Sequence, residues 1–347
     1  MPRPPHANRD LQAAPDGISR RRFLSASAGL LAAWGGLRGA AGVRRAAAVE
    51  PRFLLAWGEP GDKPGQFRAN VGIALDKEGN VYTAEFRNQR VQKFSPDGKP
   101  LAHFPVQPHA GGLAVDAEGN VFVAHWNSHK IAVYSPAGER LREWGAKGTG
   151  DGEFQLPGSV AIGPDGLVYV PDQGNSRVQK FTRAGKFVGK WGSLGSEPGQ
   201  FGGGQAPGGR FAGPQFVAFD RDGNVYTTDA ALDRVQKFTH EGKLLAHWGS
   251  ESSEPGGFGP PPVDKNGNPI MGGPIGIAVD SQNRVWVSAT NHKVQLFEND
   301  GTFLCGVGGE GTEPGRFDRP HGIVVDSNDL LYVADTMNGR IQKFAVA

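Results

Sequence analysis

Residues 72–94 read GIALDKEGNVYTAEFRNQRVQKF. Nearly the same string returns at 112–134 (GLAVDAEGNVFVAHWNSHKIAVY), 159–181 (SVAIGPDGLVYVPDQGNSRVQKF) and 216–238 (FVAFDRDGNVYTTDAALDRVQKF), then at 276–297 (GIAVDSQNRVWVSATNHKVQLF) and 322–344 (GIVVDSNDLLYVADTMNGRIQKF). Within each copy the alternation of apolar and polar residues in V-Y-x-A and R-V-Q-K-F is that of half-buried strands. The D-x-x-G-N between the first two strands places Gly and Asn where a tight turn needs positive φ. A second turn (SPDGK, SPAGE, TRAGK, THEGK, ENDG) leads into a fourth strand, which ends in Trp-Gly at 144–145, 191–192 and 248–249.

Self-similarity at roughly 40–50 residues, with four short strands per copy, predicts an all-β propeller of six four-stranded antiparallel blades. The last copy stops at Phe344-Ala345-Val346-Ala347 and lacks its fourth strand, while residues 52–58 (RFLLAWG) are a fourth strand with no blade before it. Docking this N-terminal strand on the last sheet closes the ring and covers an exposed edge. The propeller is expected to span 49–347 and to be a monomer.

Residues 1–48 are a different kind of sequence. Ser19-Arg20-Arg21-Arg22-Phe23-Leu24 leads into an apolar, small-residue stretch from Phe23 to Leu37, with Ala46-Ala47-Ala48 as the expected cleavage site. A charged segment, a short apolar run and small residues before a cut describe an export signal. Eight arginines against Asp10 and Asp16 give this segment a net +6, so of the chain's net +2 the remaining residues carry −4. A weakly acidic body lacks the electrostatic footprint of a nucleic-acid binder. The single cysteine, Cys305, excludes an intramolecular disulfide and is expected as a small core residue of a fourth strand.

Strand direction sorts the side chains by face. If each first strand runs from face X to face Y, the loops before first strands and after second strands share face X. The longest linkers, 193–214 and 250–275, are there too, and long loops on a rigid scaffold are where function concentrates. His109, Gln215 and His321 precede first strands in blades two, four and six. Glu85, His125, Asp172, Asp229 and Asp335 follow second strands, with His129 and His292 close behind. Four of the acids stand five residues before an arginine (Arg90, Arg177, Arg234, Arg340), a spacing that pairs them across the hairpin as scaffold. Blade two departs with His125 and Lys130, so His125, Trp126 and His129 are the expected ligand-binding residues. Lys93, Lys180, Lys237 and Lys343 repeat with the blades and are expected to be solvated at the rim. Gly-rich 202–209 reads as linker, and 264–268 as a turn without the full ligand set of a calcium loop.

The repeats resemble the NHL-repeat family of six-bladed propellers, as does the linker P-G-Q/G/R-F at 64–67, 198–201, 255–258 and 314–317. Arg20-Arg21-Arg22-Phe23-Leu24 resembles a twin-arginine signal, which implies export in the folded state to the periplasm or beyond, or an uncleaved anchor. Pro320-His321-Gly322-Ile323 is similar to a blade entrance of the lyase half of the peptide-amidating enzymes, where histidines hold zinc. That resemblance implies His321, His109 and, at the third entrance, Gln215 as metal positions, since alternate blades are related by about 120°. His109 stands seven residues before Asp116, whereas His321 stands five before Asp326. The primary expectation is an exported propeller that binds a small molecule, peptide or envelope protein on face X, without nucleic acid and with no membrane helix once the signal is cut. The alternative is a zinc-dependent lyase, with zinc or calcium as the metal.

Overall fold

The computed structural model describes residues 49–202, 213–261, 263, 266–268 and 272–346. The sequence segment 1–48 and most of 202–212 and 262–271 lie outside them. Blade one is β2 (Asn70–Leu75), β3 (Val81–Glu85), β4 (Arg90–Phe94) and β5 (Pro100–Pro105). Blade two is β6 (Ala110–Val115), β7 (Val121–His125), β8 (Lys130–Tyr134) and β9 (Arg140–Trp144). Blade three is β10 (Ala161–Ile162), β11 (Val168–Asp172), β12 (Arg177–Phe181) and β13 (Phe187–Trp191). Blade four is β14 (Pro214–Phe219), β15 (Val225–Asp229), β16 (Arg234–Phe238) and β17 (Leu244–Trp248). Blade five is β18 (Pro274–Val279), β19 (Val285–Ala289), β20 (Lys293–Phe297) and β21 (Phe303–Gly308). Blade six joins β22 (Ile323–Val325), β23 (Leu331–Asp335) and β24 (Arg340–Val346) to the N-terminal strand β1 (Pro51–Trp57). β1 runs antiparallel to β24, with Phe53 opposite Phe344 and Trp57 opposite Ile341, so the two ends of the propeller lock one sheet. This is the predicted six-bladed ring.

The turns form for the reason the repeat suggests. Asp76 Oδ1 accepts the amides of Glu78 at 3.1 Å and Asn80 at 2.8 Å, and Gly79 sits at φ +80°. Where the glycine is missing, Asn283 and Asp329 take the left-handed conformation in its place, which short polar side chains tolerate best. The repeated lysines are not merely solvated. Lys93, Lys180, Lys237 and Lys343 lie 5.0, 5.9, 5.1 and 4.8 Å from the ring centroids of Tyr82, Tyr169, Tyr226 and Tyr332. Lys93 Nζ also pairs with Asp76 at 3.0 Å. Each lysine is one strand over from its tyrosine, so the packed hairpin sets its place.

Blades are joined by aromatic packing. The tryptophan that ends an outer strand meets the phenylalanine that ends the next blade's third strand: Trp144 on Phe181 at 5.9 Å, Trp191 on Phe238 at 5.8 Å, Trp57 on Phe94 at 6.2 Å. The linker phenylalanines Phe67, Phe154, Phe201, Phe258 and Phe317, all buried, press on the same rings. Buried aromatic pairs of this kind contribute beyond their area. Cys305, in β21, is half-buried among the side chains around Phe317 and Phe344, and burial pushes its thiol up to about 11. A thiol so raised is a poor nucleophile near neutrality.

The acid–arginine pairs clamp these linkers. Arg177 Nε donates to Asp172 Oδ2 at 2.9 Å while its other nitrogens donate to the carbonyls of Thr149, Gly150 and Glu153 in the linker that enters blade three. Gln179 holds the same loop, donating to Glu153 O and accepting from Gly152 N. Asp172, Glu85 and Asp335 also accept a linker amide each, from Gln155, Arg68 and Asp318. Blade two has no such loop, because only Val106, Gln107, Pro108 and His109 separate β5 from β6. The acid, arginine, glutamine and phenylalanine of the clamp are there replaced together, by His125, Lys130, Ala132 and Tyr134.

Arg177→Ala removes the cation paired with the buried Asp172 carboxylate and one donor from each of three linker carbonyls, and is expected to cost about 3–5 kcal/mol. Lys130→Ala, which removes a partly exposed pair with Glu143, should cost less than about 1 kcal/mol. Urea unfolding of the two variants checks the contrast, and equal losses would remove the clamp from the account.

Candidate functional site

The first strands converge on the axis, and glycine lets them touch. A Cβ on Gly72 would lie 2.6 Å from Gly111 O, one on Gly111 2.5 Å from Gly158 O, and one on Gly322 2.6 Å from Val71 O. Contacts that close to backbone do not occur between real side chains, so blades one, two, three and six approach at a distance that only glycine allows. Gly112 N donates to Gly158 O and Gly322 N to Val71 O, which stitches neighbouring blades at the same level. Three residues before this level every blade turns a corner with positive φ, at Ala69, His109, Leu156, Gly213, Gly273 and Arg319.

Above the converging strands, on face X, all six blades line a cavity of about 370 Å³. Its apolar walls are Val71, Phe86, Trp126, Phe216, Ile275 and Met337. Polar groups reach it from Arg87, Gln173, Gln215, Arg319, His321 and Thr336. Trp126 Nε1 donates to Gln173 Oε1 at 2.9 Å, Gln173 Nε2 to Gln215 Oε1 at 2.7 Å, and Gln215 Nε2 to Gly213 O at 3.1 Å. This chain fixes the indole of Trp126. Arg319 Nε is 3.4 Å from Asp318 Oδ1, whereas Arg87 is exposed at the mouth.

The residues singled out in the sequence part company here. Trp126, Gln215 and His321 line the cavity. His125 is fully buried inside blade two, its Nε2 3.2 Å from Tyr134 Oη, and does not line it. His129 is structural as well: its Nδ1 accepts the amide of Leu156 at 3.1 Å, as His292 Nδ1 accepts that of Arg319 at 3.3 Å. His109 packs its ring on Phe86, with centroids 4.7 Å apart, and its Nδ1 lies 3.1 Å from Asn127 Nδ2. The corner residue of blade six that corresponds to His109 is Arg319, two residues ahead of His321. The two histidines therefore occupy different levels. Among the described residues no group of three or more His, Cys, Asp or Glu side chains is placed to hold a metal ion. His109 and His321 belong to no such group.

His321 is half-buried at the cavity wall, and loss of hydration pushes its imidazole down to about 4. Its Nδ1 lies 3.0 Å from Arg319 O, and with a carbonyl as partner that nitrogen carries the proton. The cavity thus holds a neutral imidazole. Phe86, Arg87, Phe216 and Met337 had no part in the sequence reading. The signal for Phe216 was present: it stands where four other copies have Gly72, Gly112, Gly276 and Gly322.

The chain matches the family model described as NHL repeat at residues 71–94, 154–181 and 317–344, and the SMP-30/Gluconolactonase/LRE-like region at 100–149. It is 35% identical over 142 residues to peptidylglycine alpha-amidating monooxygenase of Rattus norvegicus, and 34% identical over 142 residues to that of Mus musculus. Each alignment covers 38% of this chain and 13% of the relative's length. Among solved structures, a structural genomics protein of unknown function from Bacteroides thetaiotaomicron superposes with a TM-score of 0.61 at 18% identity, over 86% of this chain and 76% of that one. A gluconolactonase from Xanthomonas campestris gives 0.56 at 14% identity, over 88% and 99%. A streptogramin B lyase gives 0.52 at 17%, over 86% and 97%. These likenesses establish the fold. No described helix is long and apolar enough to cross a membrane.

His125 supplies a pH test of its burial. Its imidazole is pushed by burial from 6.5 down to about 4, so the unfolded chain takes the proton first as pH falls. Its contribution is complete above pH 6.5 and is lost between 6.5 and about 4, on the order of 3 kcal/mol. Asp229, raised by burial to about 6, works in the opposite direction over the same range, so the wild type alone is a mixed signal. The comparison is with His125→Phe, whose unfolding free energy should lack the His125 component of the slope. Parallel pH profiles would contradict a buried neutral His125.

Proposed function

We propose that this protein is a binding propeller that takes a small, predominantly apolar molecule, or the apolar end of a larger one, in the axial cavity on face X. The observation that carries this reading is the cavity itself. Its size is in the range of small-molecule sites, its walls are largely aromatic and aliphatic, and its few polar groups are fixed by hydrogen bonds. Trp126 and Phe86, with centroids 6.1 Å apart, offer a rigid aromatic wall, and Arg87 offers a positive charge at the mouth for the solvated end of the ligand. Peptides and envelope proteins remain in the class of partners by virtue of a terminal apolar group.

The second reading, a metal-dependent lyase, draws on the similarity to the amidating monooxygenases and on a neutral His321 at the cavity wall. The described residues do not supply a metal centre, so no reaction step is assigned. The same proposal places the protein outside the inner membrane, on the strength of Arg20-Arg21-Arg22-Phe23-Leu24 and the apolar stretch that follows.

1-Anilinonaphthalene-8-sulfonate, apolar rings with one anionic group, is a suitable probe. It should bind one-to-one and quench Trp126 fluorescence, and Trp126→Ala should weaken binding tenfold or more, about 1.4 kcal/mol. Equal affinity in the variant would place the probe elsewhere and count against the cavity. For the location, lysine at both Arg20 and Arg21 should leave the protein in the cytoplasmic fraction. Unchanged export would remove the twin-arginine route.

A further inference from the structure

Phe216 stands at the position of closest approach between inner strands, where four blades have glycine and blade three has Ser159. It lies within a break in the β14–β15 register between Pro214 and Val217, and its amide nitrogen donates to Thr228 Oγ1 at 3.2 Å. The same break occurs at this level in blades two and five, and in blade four the side chain at that level lines the axial cavity. There its ring reaches past blade three: a Cβ on Gly112 of blade two would lie 3.1 Å from Phe216 Cε1. Blades two and four are not neighbours, so the ring extends beyond Ser159 of the blade between them.

Depth follows from strand direction. Phe86, Arg87, Trp126 and Met337 lie in face-X loops, and Phe216 lies three residues inward of its blade's corner, Gly213. On the opposite face the far ends of β10, β14, β18 and β22 surround a second depression of about 380 Å³ that includes Phe219. One strand thus contributes Phe216 to the near cavity and Phe219 to the far one, three residues or about 10 Å apart. Along that strand Phe216 stands on the face-X side and Phe219 on the far side.

We propose that Phe216 is a specificity-determining residue that blocks the axial channel and gives the cavity an apolar floor. The site then takes ligands that enter with an uncharged, apolar end of limited length and leave any charge at the mouth. This rests on the axial cavity being the binding site.

The experiment is calorimetric titration of the full chain with straight-chain alkane-1-sulfonates of about four to about twelve carbons. Wild-type affinity should rise about fourfold per methylene until the chain meets the floor, then level off. Phe216→Ala should move the plateau to longer chains and Phe216→Trp to shorter ones, so the two variants shift it in opposite directions and a folding defect in one does not decide the matter. Binding with the same plateau in all three proteins overturns the floor while leaving the site intact. No binding of any sulfonate to the wild type overturns the cavity reading and this inference with it.

Discussion

The backbone-to-backbone contact of inner strands around the axis is the constraint on which the rest of the molecule depends. Gly72, Gly111, Gly158, Gly276 and Gly322 each present a bare Cα to a carbonyl of the following blade. A side chain at those points would force the blades apart by more than a packed interior can absorb. The tight ring fixes the radius of the scaffold and hence the size of the space above it. It also means that any larger residue admitted at this level enters the channel, as Phe216 does.

Outside that ring, the entrances to blades one, three, four and five are each filled by a linker phenylalanine and an outer-strand tryptophan that converge on that blade's third strand. At blades one, three, four and six the linker backbone is tied down by one arginine and one glutamine. These parts behave as a unit. At the entrance to blade two the linker loop is absent, and the residues that would hold it have changed together, leaving Tyr134 to fill the space and His125 to meet its hydroxyl. The missing loop thus accounts for His125, whereas His129 holds the linker that enters blade three.

Fold and site were legible to different degrees for a physical reason. Period-two alternation and turn chemistry are local, so the strands, the six blades and closure by residues 51–57 follow from the repeats. The pairing of Asp172 with Arg177 follows from a hairpin spacing. The face that carries the cavity follows from strand direction. Which side chains meet at the axis depends on the corners at Ala69, His109 and Arg319, where a shift of two residues puts His109 on Phe86 and His321 in the wall. Spacing to the following aspartate, seven residues against five, held part of that information. Phe216 was visible as a departure from glycine, but its meaning required the distance across the channel.

The central claim is that the axis holds an apolar, blind cavity bounded below by Phe216. Crystals of the protein pressurised with xenon test it most directly, since xenon enters apolar cavities and avoids polar, water-filled ones. The account predicts a xenon atom on face X within contact distance of Phe216, Trp126 and Ile275, separated by the Phe216 ring from the far face. A continuous file of ordered water running through the axis, with no xenon above Phe216, would contradict it.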